Sequence, residues 1–260
     1  MKARMALSIL LLALPALAAG AVKTEVIEYR DGDTPLRGYL VYDDAASGKQ
    51  PGIIVVHEWW GLNDYAKRRA EMLAELGYVA FALDMYGDDK VTEHAEEAGG
   101  WMKQITENVD RWQRRALAGL EVLKGRDEVD PEKIAAVGYC FGGATVMQMA
   151  YAGADLDGVV SFHGSLPPAT EAQQAKITAP ILVAHGVADG LGPAERIVAF
   201  RSAIEAAGAD WQMVIYGGAR HGFTTPGAGE YGMDTLKYDP EADARSWAMM
   251  QSFLDEAFAD

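Results

Sequence analysis

The sequence is short of cysteine, of basic residues and of long apolar runs, and each shortage removes a class of function. Cys140 is the only cysteine in 260 residues, so neither an intramolecular disulfide nor a multi-cysteine metal site can form. Lys and Arg number 23 against 38 Asp and Glu, a formal net charge of −15. No basic run relieves that balance, so a phosphate backbone would be repelled and nucleic acid is not an expected partner. Proline is sparse at 10 residues, and no long linker, low-complexity stretch or internal repeat follows Val22. Half of the residues are hydrophobic, which excludes disorder and suits one large α/β domain or two small ones.

The one sustained apolar run, Met5 to Leu14, is too short to span a bilayer comfortably. Lys2 and Arg4 precede it, and Pro15 leads into Ala16-Leu17-Ala18 and Ala19-Gly20-Ala21, two alternative A-x-A cleavage sites. Residues 1–21 therefore read as a signal peptide, and the remainder as exported to a compartment such as a bacterial periplasm. An uncleaved membrane anchor is the competing reading. No cysteine follows the segment, which excludes a lipoprotein anchor.

From Thr24 the pattern is that of a sheet. Thr24 to Arg30 and Leu36 to Tyr42 alternate apolar and polar residues around an Asp31-Gly32-Asp33 turn, as a half-exposed hairpin does. Continuous apolar strands then alternate with amphipathic helices. Strands are predicted at about 52–57, 78–83, 133–139, 157–162, 181–185 and 211–216. Helices are predicted at about 63–76, 106–124, 141–152, 193–207 and 240–258. This order predicts an α/β fold, a mostly parallel central sheet with helices on both faces. Chemistry in such a sheet belongs at the carboxyl ends of the strands.

Gly138-Tyr139-Cys140-Phe141-Gly142 lies between a predicted strand and a predicted helix, and has the form of a nucleophile elbow with Cys in place of Ser. A helix start also favours the thiolate. A lone cysteine can equally be a small core residue, but the strand–turn–helix setting points to a nucleophile. Of the five histidines, His94 sits in a charged stretch, and His57, His163 and His185 end apolar strands, where backbone hydrogen bonding suffices to explain them. His221 follows the last strand and is the candidate base. Asp189 follows the strand at 181–183 and is the candidate orienting acid, unless it merely stabilises its own turn. Glu58 follows the first parallel strand in His57-Glu58-Trp59-Trp60-Gly61, where a carboxylate would stand close to the sulfur. The backbone N–H groups of Phe141 and of Glu58 or Trp59 are the candidate oxyanion donors, Trp59 ahead of Glu58. Trp60, Tyr86, Trp101 and Phe223 are candidate pocket residues; for Trp60 and Trp101 a core position is an equal alternative. Residues 87–105, with Gly99-Gly100 as a hinge, could form a small cap.

These motifs resemble the dienelactone hydrolase family of α/β-hydrolases. The likeness is carried by His57-Glu58-Trp59-Trp60-Gly61, Asp84-Met85-Tyr86, Gly138-Tyr139-Cys140-Phe141-Gly142-Gly143, His185-Gly186 with Asp189, and His221-Gly222-Phe223. It extends from about Glu25 to the last helix and implies an α/β-hydrolase fold over one domain, residues 22–260. By this resemblance Cys140 is the nucleophile, His221 the general base and acid, and Asp189 its orienter. Glu58 is the extra carboxylate that helps to generate the thiolate when substrate arrives. Two arginines that bind a substrate carboxylate in the family are replaced here by Asp88 and Thr225. Lys90 and Arg220 are the only nearby substitutes the sequence offers, so a neutral or cationic ester or lactone is the expected substrate. No cofactor and no metal are expected, and the mature chain is expected to be a monomer without a membrane anchor. The rival readings are a thioester or peptide hydrolase, and a non-catalytic binding protein that keeps the hydrolase scaffold.

Overall fold

The computed structural model describes residues 22–192 and 194–259; the predicted signal segment lies outside the described residues. The first hairpin pairs β1 (Val22–Asp31) with β2 (Thr34–Asp43), which then lies antiparallel to β4 (Val79–Leu83). From β4 onward the sheet is parallel, through β3 (Gln50–Val56), β5 (Val129–Tyr139), β6 (Gly158–Phe162), β7 (Ile181–Gly186) and β8 (Trp211–Tyr216). The spatial order of the eight strands is β1-β2-β4-β3-β5-β6-β7-β8. The central strands are buried on both faces, which is why they read as unbroken apolar runs.

Side chains alternate along each strand and feed two cores. Ile54 and Val56 of β3 pack against α3 (Val109–Lys124) and α4 (Phe141–Ala152), in the layer that α6 (Ala194–Ala207) completes farther along the sheet. Ile53 and Val55 face the opposite layer, α1 (Asp64–Glu75) and α7 (Pro240–Ala257). The helix α4 is buried from Phe141 to Tyr151, so it carries no amphipathic stripe and serves as the central pillar under the site. Among the described residues, no helix is long and apolar enough to cross a membrane.

The structure departs from the predicted elements where local caps outweigh periodicity. The expected helix over 106–124 starts three residues later, at Val109, because the Asn108 side chain accepts the Arg111 N–H at 2.8 Å and caps α3 there. Before it runs α2 (Ala95–Thr106), with Gly99 and Gly100 inside the helix instead of at a break. A short α5 (Glu171–Gln174) and a 3₁₀ turn at Ala228–Tyr231 also escape the sequence pattern, being too short for a periodic signal.

A buried cation holds the second layer to the site. Arg69 of α1 donates to the Thr224 carbonyl at 2.6 Å, to Asp243 of α7 at 2.6 Å and to the Tyr65 hydroxyl at 3.2 Å. Its guanidinium also lies over the rings of Tyr65, Tyr139 and Trp247. Replacing it strands the Asp243 carboxylate in a largely buried place. Arg69→Met is expected to lower stability by about 3–5 kcal/mol. Urea unfolding checks this; a loss below about 1 kcal/mol would contradict it.

Candidate active site

The elements that meet at the carboxyl ends of β3, β5, β7 and β8 carry the side chains singled out above. Cys140 follows β5 and caps α4 with φ 55° and ψ −112°, a left-handed backbone for a residue with a Cβ. The turn is possible because its flanking glycines leave no side chain in the way. A Cβ on Gly138 would collide with the Gly142 carbonyl, and one on Gly142 with the Val56 carbonyl at the end of β3. That close approach sets the start of α4 against the end of β3 and His57. The Phe141 N–H is one that an α-helix leaves free at its start.

His221 Nδ1 and Asp189 Oδ2 lie 2.8 Å apart, with both side chains about 95% shielded from solvent (5% and 4% exposed). The Leu191 N–H also donates to Asp189, at 3.0 Å. Burial works against the Asp189 charge, but the hydrogen bond and charge of His221 hold its carboxyl below the usual carboxylate range. Burial likewise opposes protonation of His221. The Cys140 charge and the Asp189 hydrogen bond outweigh it and push the imidazole up to about 10. His221 Nε2 has no well-formed hydrogen-bond partner, and the neighbouring sulfur acts on it chiefly through charge.

Glu58 is buried at the foot of the same cleft. Its Oε1 accepts the Thr225 hydroxyl at 3.2 Å, while Oε2 has no partner. Burial is the main reason that its carboxyl is pushed up to about 7; His221, Thr225 and Arg69 pull the other way. Two of the remaining strand-end histidines, His57 and His163, are held by hydrogen bonds. The ring of His57 bonds to the Glu58 carbonyl and accepts the Met85 N–H, and His163 Nε2 pairs with the Thr224 hydroxyl at 2.8 Å. His185 lines the cleft, and His94 is exposed at the start of α2.

Above the sulfur opens a cleft of about 580 Å³ walled by aromatic and aliphatic side chains. Trp59 and Trp60 both reach it, and Trp60 is buried and stacked on Tyr231 with ring centres 4.2 Å apart. Three expected pocket residues do not reach it. Tyr86 spends its hydroxyl on the Trp59 carbonyl at 3.0 Å and packs its ring on Phe141, behind the wall. With Trp101 it faces a separate hollow between the first hairpin and α3. Phe223 is fully buried between His163 and Tyr216 in the α1–α7 core. Asp88 also faces the separate hollow, where it pairs with Lys90 at 3.3 Å, so its charge does not line the cleft. Arg220 turns outward to the Asp234 carbonyl. The cleft is completed by residues without a sequence motif, among them Met102, Trp112, Tyr231 and Arg196. They sit on helices or in loops whose approach to the site depends on tertiary packing. Among the described residues, no group of three His, Cys, Asp or Glu side chains is arranged to hold a metal ion.

The sequence model of the dienelactone hydrolase family matches residues 36–258. The chain belongs to the dienelactone hydrolase family. It is a hydrolase with the α/β-hydrolase fold. The protein usf of Aquifex pyrophilus is 29% identical over 237 residues, covering 89% of this chain and 98% of that protein. A protein of Aquifex aeolicus, provisionally named a carboxymethylenebutenolidase, is 27% identical over 235 residues, 88% of this chain and 97% of its own. A solved dienelactone hydrolase-like promiscuous phosphotriesterase from metagenomic libraries superposes with a TM-score of 0.89 at 40% identity. That match covers 92% of this chain and 99% of that one.

Proposed function

We propose that this family member hydrolyses small carboxylic esters or lactones through a thioester on Cys140. The observation that carries the reading is a sulfur on a strained elbow, at the floor of an apolar cleft, beside a buried His221–Asp189 pair. The Cys140 thiolate attacks the carbonyl carbon, and the Phe141 and Trp59 N–H groups receive the oxyanion. His221 then gives its Nε2 proton to the leaving alkoxide, which departs as alcohol. A water delivers its proton to His221 and its oxygen to the thioester carbon, and the carboxylate leaves as the thiolate returns. Asp189 holds the imidazole in the tautomer that exposes Nε2 and stabilises the imidazolium. Glu58, poised near neutral pH, takes the Cys140 proton as substrate seats, His221 already carrying its own, and returns it to the sulfur once the carboxylate product has left.

The proposal includes export, which rests on the charged start, apolar run and A-x-A sites of residues 1–21. The name of the 40% identical relative makes phosphotriesters a second class to assay, since the same nucleophile and N–H donors suit a phosphoryl oxygen. Iodoacetamide should label one site per chain and abolish p-nitrophenyl acetate turnover in proportion to labelling. Full labelling with activity retained would refute the mechanism.

A further inference from the structure

The cleft has two unlike ends. Over α2 and α3 its wall is Trp59, Met102, Trp112 and Phe141, with no formal charge. On the other side of Cys140, above β7, the wall is the loop that carries Asp189, followed by Arg196 and Ile197 of α6. Strand order places these ends on opposite flanks of the nucleophile, because β3 and β4 lie to one side of β5 while β6 and β7 lie to the other.

Among the described residues, Arg196 is the only lysine or arginine in the wall of the cleft. It is partly exposed, and its guanidinium lies back over Gly192, with Nη1 3.4 Å from the place a Cβ there would occupy. Of the two acids among the described lining residues, Asp189 is paired with His221. Glu58 gives Oε1 to Thr225 while its Oε2 stays unpartnered at the foot of the cleft, on the far side of the triad from the helix of Arg196. The cleft therefore presents a forked cation beyond the triad acid and an uncharged aromatic hollow at the far end. A guanidinium receives a carboxylate through two parallel N–H···O bonds, a geometry it offers to phosphate as well. The acid that replaces a family arginine, Asp88, faces away and does not offset this.

We propose that Arg196 anchors an anionic end of the substrate. The favoured class is then the half-ester of a dicarboxylic acid, with its free carboxylate on Arg196 and its apolar alcohol portion against Trp112. This rests on the thioester reading above and names the substrate class for that site. It replaces the neutral or cationic preference drawn from Asp88 and Thr225.

The test compares mono-p-nitrophenyl adipate and pimelate with p-nitrophenyl hexanoate, after subtraction of the rate without enzyme. The quantity read is the ratio of kcat/KM for each half-ester to that for the neutral ester. In Arg196→Gln this ratio should fall at least about fivefold, and Arg196→Lys should retain a good part of it. Raising the salt should lower the ratio in the wild type and leave it nearly flat in Arg196→Gln. A ratio that is the same in wild type and Arg196→Gln for both half-esters overturns the assignment. An equal loss on charged and neutral substrates does so too, since it leaves the ratio unmoved. The thioester reading fails separately, if Cys140→Ala still turns over p-nitrophenyl hexanoate.

Discussion

Cys140→Ala should lose at least about 10³-fold in turnover of p-nitrophenyl acetate, the largest effect expected of any single substitution here. The alanine keeps the elbow and its N–H donors but has no atom able to bond to the carbonyl carbon. The loss should fall on kcat, with little change in substrate affinity, because the cleft walls do not depend on the sulfur. Stability should change little: Cys140 is only partly buried, and a small side chain replaces a small one. Wild-type turnover in this variant would exclude a cysteine mechanism. Binding of an ester without turnover in the wild type would instead favour a non-catalytic scaffold.

Glu58→Gln should change two things at once, in opposite directions. As an enzyme it should be slower in acylation by about 10²-fold, since an amide cannot accept the Cys140 proton. Stopped-flow release of p-nitrophenol in a single turnover reads that step, and an unchanged rate would remove Glu58 from the mechanism. As a folded protein it should be more stable at pH 8. The Glu58 carboxyl is raised from 4.5 to about 7 by burial. Below about pH 4.5 it is neutral in both the folded and unfolded chain, and the wild type carries no penalty. As pH rises towards 7 the unfolded chain releases the proton first, and folding must hold it or bury the charge. The stability lost in this way levels off above the folded value, at about 3 kcal/mol. The substituted amide would keep an oxygen for the Thr225 hydroxyl and never ionise. The stability gap between variant and wild type should thus open between pH 4.5 and about 7 and stay open at pH 8. Urea unfolding at three pH values measures it, and a gap that does not grow with pH contradicts the burial argument.

The parts of this molecule that could be read in advance are those whose physics is local. The parallel strands read as apolar runs because both of their faces are covered, and the elbow is legible because only glycine tolerates the crossing at Gly138 and Gly142. Asp189 and His221 were legible as strand-end positions, although they are 32 residues apart and meet only through β7–β8 pairing. What escaped reading was the content of the cleft. Aromatic type and nearness to a strand end placed Tyr86, Trp101 and Phe223 in the pocket. Whether such a ring faces ligand or core is decided by packing: Phe223 drops between His163 and Tyr216, and Tyr86 is turned by its bond to the Trp59 carbonyl. Charge was misread for the same reason. Asp88 follows Tyr86 closely in sequence but lies over the other hollow. Arg196, on a helix after β7 and with no motif around it, faces the cleft.

The mechanism stands on a covalent acyl group carried by the Cys140 sulfur. Acid quenching during p-nitrophenyl acetate turnover, followed by digestion and mass spectrometry, reads that group at its site. An acetyl group is expected on the peptide that contains Cys140, removed by neutral hydroxylamine as a thioester is, and accumulating at the rate of the burst. Turnover with that peptide unmodified at every quench time, or acetyl carried on another residue at the burst rate, would contradict it.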